Sequence, residues 1–263
     1  MPAATDRIAD AFASHGKAAA LMPYLMGGFP TLEASRAIGE AYLDNGADLL
    51  ELGVPYSDPL ADGPVVQAAG TQALRAGATL DGVLGVGEAL ARRAPVVLMA
   101  YTNLILARGV EPLAGELAAR GIAALIVPDL PLEEADEVLA ACDAAGVALV
   151  PLVAPTTPDE RLAAIGSRAR GFVYTVSVTG VTGERTALAE RFADVVGRAA
   201  AHTAVPVALG FGISTPEQAR QAAEAGADGI IVGSRLVRAA AEADDPADAV
   251  GQVVAGLAAG LRR

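Results

Sequence analysis

The chain has 263 residues, of which 53% are hydrophobic and 19% charged, with aromatics at 4% and no tryptophan. That excludes a disordered chain and suffices for one sizeable core, because β/α barrels commonly reach ~250 residues as one unit. With 31 acidic against 19 basic residues the net charge is -12, so electrostatics favours neither nucleic acid nor a membrane surface as a partner.

The first predicted element is a helix within Met1 to Lys17, where Ile8 and Phe12 stand at i, i+4 and would cap the bottom of a barrel. Eight short runs rich in Val, Ile and Leu follow: Leu21 to Met26, Asp48 to Leu52, Val96 to Tyr101, Ala123 to Val127, Ala148 to Val153, Phe172 to Val176, Val207 to Leu209 and Gly229 to Val232. Each has the length of a buried strand. Between them lie Ala-rich amphipathic stretches with helix-start signals at Thr31, at Pro158-Asp159-Glu160 and at Pro216-Glu217. Gly46, Gly121, Gly146 and Gly226 each fall between a helical stretch and a strand, where a left-handed residue ends a helix. Gly-Ala-Asp precedes both the second strand, at 46–48, and the eighth, at 226–228. One βα unit recurs about every 33 residues without a linker, which predicts a single (β/α)8 TIM-barrel domain over 1–263 with an extra N-terminal helix. The loops after the second and sixth strands are the longest, and barrels build their active sites on that side.

Few residue types are left for catalysis. Lys17 is the only lysine and lies near the N-terminus, so a Schiff-base lysine deep in the chain is excluded. Cys142, His15 and His202 offer neither a disulfide framework nor a zinc ligand set, and neither histidine ends a predicted strand. A zinc-like Cys/His site is therefore not expected. The start, with Asp6, Arg7 and Asp10, lacks the basic and apolar regions of a signal peptide. The longest uncharged run, Ala199 to Pro216, carries prolines and glycines unsuited to a bilayer helix, so a cytoplasmic protein is expected.

In Leu49-Leu50-Glu51-Leu52-Gly53 a period of two puts Leu50 and Leu52 on one face and turns Glu51, with Leu49, into the barrel. A carboxylate there either pairs with an arginine, lies solvated at the rim, or does chemistry. Asp62, in the loop that follows, is a second candidate, although it could simply cap the next helix. Glycines after strands six, seven and eight, at 180 and 183, 210 and 212, and 233, suit a phosphate held by backbone N–H groups, with a helix opening at Ser234. Tyr24, Tyr101, Tyr174, Phe172 and Phe211 stand at or near the predicted strand ends and suggest a pocket for a flat apolar ring. Arg185, in the strand-six loop, could close over an anion.

The segment from Glu51 to Pro64, ELGVPYSDPLADGP, resembles the signature of the tryptophan synthase alpha chain family. The likeness continues through Tyr101-Thr102-Asn103, Pro128 to Glu134, Gly180 to Gly183, Gly210 to Ile213 and Gly233-Ser234, and so covers essentially the whole chain. The resemblance implies cleavage of indole-3-glycerol phosphate to indole and glyceraldehyde 3-phosphate without metal or cofactor. By it, Glu51 is the general acid/base and Asp62 accepts the indole N–H. Tyr174 and Phe211 line the pocket, which Tyr24 and Tyr101 join by their strand-end positions, and Gly183, Gly212, Gly233 and Ser234 hold the phosphate. Two carboxylates facing one pocket are expected to push their proton affinities apart, with Glu51 raised. The strand-six loop becomes a lid, and the strand-two loop, with Asp58 and Pro59, faces a beta chain in a heterotetramer of two alpha and two beta chains; pyridoxal phosphate belongs to the beta chain. Phe29 and Leu104 depart from the family pattern, which often has an acidic residue and a proline there. Three other readings are a stand-alone indole-3-glycerol phosphate lyase, a phosphosugar isomerase with no need of Asp62, and a barrel that only activates a partner.

Overall fold

The computed structural model describes residues 4–176, 185–210 and 212–263, with side chains described for 6–176, 190–210 and 212–263. Eight apolar runs become nine strand segments. They are β1 (Ala20–Met26), β2 (Leu50–Gly53), β3 (Val96–Met99), β4 (Ala124–Ile126), β5 (Ala148–Val150), β6 (Leu152–Val153), β7 (Val173–Val176), β8 (Val207–Gly210) and β9 (Gly229–Val232). The fifth run is cut in two at Pro151, which has no N–H to give to the ladder. All pairings are parallel, in the order β5-β4-β3-β2-β1-β9-β8-β7-β6. The two ends of that order are halves of one strand, so the sheet closes into a barrel. Across the break the Pro151 carbonyl still accepts from the Tyr174 N–H at 3.0 Å.

Around the barrel run α1 (Ala4–Ala13), α2 (Leu32–Asp44), α3 (Pro64–Arg75), α4 (Leu80–Ala91), α5 (Thr102–Arg108), α6 (Val110–Ala119), α7 (Asp136–Ala145), α8 (Asp159–Arg168), α9 (Arg185–Ala200), α10 (Pro216–Glu224), α11 (Ser234–Glu242) and α12 (Pro246–Gly260). The start signals act as expected. Thr31 Oγ1 accepts from the Ala34 N–H, and Thr215 with Gln218 closes a full capping box. Gly46, Gly121, Gly146 and Gly226 have φ of 102°, 72°, 73° and 95°, the left-handed turn that releases each helix into the next strand.

The repeated Gly-Ala-Asp has a physical reason. Extending the β1–β2 register backward sets Asp48 opposite Leu21, two residues before β2 begins. Asp48 Oδ2 accepts the Leu21 N–H there at 2.7 Å, and Asp228 Oδ2 accepts the Val207 N–H at 2.8 Å in the same position between β8 and β9. Lys17, the single lysine, donates to Asp48 Oδ1 at 2.8 Å and to the Gly46 carbonyl at 3.0 Å. It ties the N-terminal segment to the barrel floor.

The two faces of β2 divide as its alternation requires. Leu49 packs inside with Ile8, Phe12, Met22 and Val97, whereas Leu50 and Leu52 pack outward with Val83 and Leu90 of α4. Ile8 and Phe12 plug the bottom of the barrel, each burial worth roughly 1.5–3 kcal/mol. Phe172, expected at the mouth, precedes β7 and meets the Phe12 ring at 5.4 Å, so it belongs to the barrel floor instead. In parallel strands the first residue is always at the opposite end from the active-site loops. Phe29 is buried in the outer core, and Leu104 packs partly buried against it in the first turn of α5.

Candidate active site

β1 and β2 place Tyr24 and Glu51 side by side as register partners near the upper rim of the barrel. Tyr174 projects inward from β7, and Tyr101 follows β3 at the N-cap of α5. The rings fit because two neighbouring positions lack a side chain. A Cβ on Gly53 would stand 2.1 Å from the Tyr24 hydroxyl, and one on Gly210 would stand 2.4 Å from the Tyr174 ring. Glycine at strand ends reads as turn chemistry in sequence, so these seats become visible only once the strands are aligned.

Glu51 is 2% exposed, and among the described residues no arginine or lysine pairs with it. Burial pushes its carboxyl up to about 8, and the nearby Asp62 charge adds to the shift. Burial removes the solvated-rim reading, and among the described residues the arginine pair has no candidate.

Asp62 is not a helix cap. The N-cap of α3 is Gly63, with no side-chain capping bond, and Asp62 instead turns its carboxylate to the Tyr101 hydroxyl. Burial raises Asp62 and that hydrogen bond opposes the rise. Because the charge of Asp62 is part of what lifts Glu51, Asp62 is the first of the two to ionise. Tyr24 is pushed far above the usual phenol range by burial and then by Asp62, Glu51, Tyr101 and Tyr174, so it stays a neutral donor. That single hydroxyl lies within electrostatic reach of four of the residues singled out in sequence.

Gly233 and Ser234 form the start of α11, a short extra helix with no side chain capping it, so the N–H groups of Ser234 and Arg235 have no acceptor within the helix. Gly212, at φ 82°, lies exposed just after β8, the neighbour of β9. This end of the barrel offers unpaired donors where a dianion would sit. Gly183, Phe211 and the lid of the sequence reading lie outside the described residues. Arg185, expected inside that loop, is the first residue of α9.

Two neighbours escaped the sequence reading. Asp129, after β4, accepts from both the N–H and the hydroxyl of Thr102 at 2.9 Å and so caps α5 from another loop. Tyr56 stacks on Tyr101 with centroids 5.1 Å apart. Both lie within motif segments, but neither has a spacing that reveals its partner. A separate cavity of about 210 Å³ between α7 and α8 includes Val127, Leu139 and Ile165 but none of the acidic or tyrosine residues above. Among the described residues no cluster of His, Cys, Asp or Glu could hold a metal, and no helix is long and apolar enough to cross a membrane.

Residues 11–259 match the family profile described as Tryptophan synthase alpha chain. The tryptophan synthase alpha chain of Gloeobacter violaceus is 49% identical over 258 residues, covering 95% of this chain and 92% of its own. A structure of Mycobacterium tuberculosis tryptophan synthase superposes with a TM-score of 0.89 at 40% identity, covering 98% of both chains. The tryptophan synthase a2b2 complex from Pyrococcus furiosus, described for its mutual activation, gives 0.86 at 36% identity, over 92% of this chain and 98% of that one.

Proposed function

The chain belongs to the tryptophan synthase alpha chain family and is a lyase, and from that premise we propose that it cleaves indole-3-glycerol phosphate with Glu51 as acid and base and Asp62 as the counter-charge. The observation that carries this reading is Glu51 itself: a buried carboxyl at the barrel mouth, without an arginine or lysine partner among the described residues, raised to about 8 beside a second carboxylate. Protonated Glu51 gives its proton to the ring carbon that bears the side chain. Positive charge then develops on the indole nitrogen, whose N–H the Asp62 carboxylate accepts. The Glu51 carboxylate takes back the proton of the adjacent side-chain hydroxyl, the carbon-carbon bond breaks, and its electron pair returns to the ring. Indole and an aldehyde leave, and Glu51 is again protonated, so one carboxyl serves both transfers. Tyr24, Tyr101 and Tyr174 wall the ring pocket, and Gly212, Gly233 and Ser234, with Gly183 and Phe211 by resemblance, complete the phosphate and ring contacts.

The same reading takes residues 1–263 as one barrel domain that docks on a beta chain in a two-alpha, two-beta assembly. Leu60 in the strand-two loop is 89% exposed and Leu106 on α5 is 58% exposed, apolar surface on the side of the mouth where a partner would cover it. Direct assay of indole-3-glycerol phosphate cleavage tests the chemistry. Glu51→Gln should lower kcat by about 10²–10⁴-fold, and Asp62→Asn by at least about tenfold. In the unsubstituted protein kcat/KM should fall above pH about 8, as Glu51 loses its proton. Undiminished turnover of Glu51→Gln would return the barrel to the role of a partner's activator.

A further inference from the structure

The strand-two loop carries Asp62 without a side-chain cap and without a strand to hold it, yet its carboxylate has to meet one nitrogen of the substrate. Its backbone is held by the Asp62 N–H on the Pro59 carbonyl and by Gln67 Nε2 on the Asp62 carbonyl, and a further ladder of contacts comes from outside the loop. Tyr101 sits at the N-cap of α5, and its hydroxyl accepts the Ala61 N–H at 3.0 Å and lies beside the Asp62 carboxylate, with which it interacts. The Tyr101 ring is in turn covered by Tyr56, at 5.1 Å and an interplanar angle of 24°. The Tyr56 hydroxyl accepts from Asn103 Nδ2 at 2.7 Å, two residues along the same helix start that carries Tyr101. Asp129 pins that helix start from the loop after β4.

We infer that Tyr56, clamped by Asn103, is a positioning residue for Asp62: it locks the Tyr101 ring, and through the Tyr101 hydroxyl it locks the Ala61-Asp62 turn. Tyr56 is half-buried and five residues before Ala61, so it does not need to touch substrate to act. The ring does most of the holding and the hydroxyl sets its angle, because a stacked ring without its anchor still covers Tyr101 but is free to slide. A small displacement of a charge that must face a developing cation costs rate and leaves binding largely intact.

The inference rests on the role proposed above for Asp62, and a mutant cycle separates the two. In the full chain without a partner, Tyr56→Leu should lower kcat for indole-3-glycerol phosphate cleavage by about tenfold with KM changed less than about twofold. Tyr56→Phe should retain most of the rate, and Asn103→Ala should cost about as much as Tyr56→Phe and nothing further when the two are combined. On a Tyr101→Phe background, where the hydroxyl link is already gone, Tyr56→Leu should cost less than about twofold. An equal cost on both backgrounds, an effect on KM alone, or no effect of Tyr56→Leu overturns the positioning role. If instead Asp62→Asn keeps near-normal turnover, the role of Asp62 fails, whatever Tyr56 does.

Discussion

A carboxyl buried to 2% exposure beside a second carboxylate keeps its proton well above the usual carboxylate range, and Glu51 does so up to about pH 8. This has a consequence for stability as well as for catalysis. Between about pH 4.5, where the unfolded chain releases the proton, and about 8, the folded state binds one proton more than the unfolded state. Unfolding free energy therefore falls as pH rises through that window, by up to ~1.4 kcal/mol per pH unit from this group, and levels off outside it. Glu51→Gln removes the ionisation. Denaturant unfolding at pH 5 and pH 8 should show the variant gaining stability relative to the native chain toward the higher pH; parallel curves would mean that Glu51 is not buried uncharged. At this scale the sequence was informative about which residues matter and not about their state. Alternation turned Glu51 inward, but burial in the packed mouth, with the Asp62 charge beside it, is what raises its carboxyl toward the protonated form. Asp62 is the opposite case: its local sequence suited a cap, and a tyrosine from another strand's end took it instead.

Strands and helices were legible because each rests on neighbours along the chain: apolar runs, caps and glycine exits are local signals. Breaks in that legibility have local causes too. Pro151 splits the fifth strand, Phe172 begins its strand at the floor, and α3, α5 and α11 add helices beyond one per unit. Seats for the tyrosines were not legible, because they depend on register between strands far apart in sequence. Gly53 illustrates the point. Its missing Cβ leaves room for the Tyr24 ring, so Gly53→Ala should force that buried ring out of the cluster and cost about 1–3 kcal/mol by overpacking. Turnover should fall as well, and thermal unfolding together with the cleavage assay checks both. A fully active Gly53→Ala would show that the Tyr24 position is not needed.

Over the whole molecule the barrel brings residues from β1, β2, β3 and β7 to one rim while Ile8 and Phe12 close the other end. The outer surface is then free for docking. Leu60→Asp, at a side chain 89% exposed, should weaken association with a beta chain without shifting the unfolding midpoint of the isolated protein. Analytical ultracentrifugation of the mixture reads the first effect and a thermal melt the second; unaltered association would move the docking surface away from this loop. The sequence by itself determined the barrel, the inward face of Glu51 and the family, because periodicity, caps and a long contiguous motif are written along the chain. Only the tertiary structure decided that burial raises the Glu51 carboxyl, that Asp62 lies by the Tyr101 hydroxyl with Tyr56 stacked on the Tyr101 ring, and that two glycines make room for two tyrosines. Desolvation, charge proximity and steric room are properties of residues distant in sequence and adjacent in space.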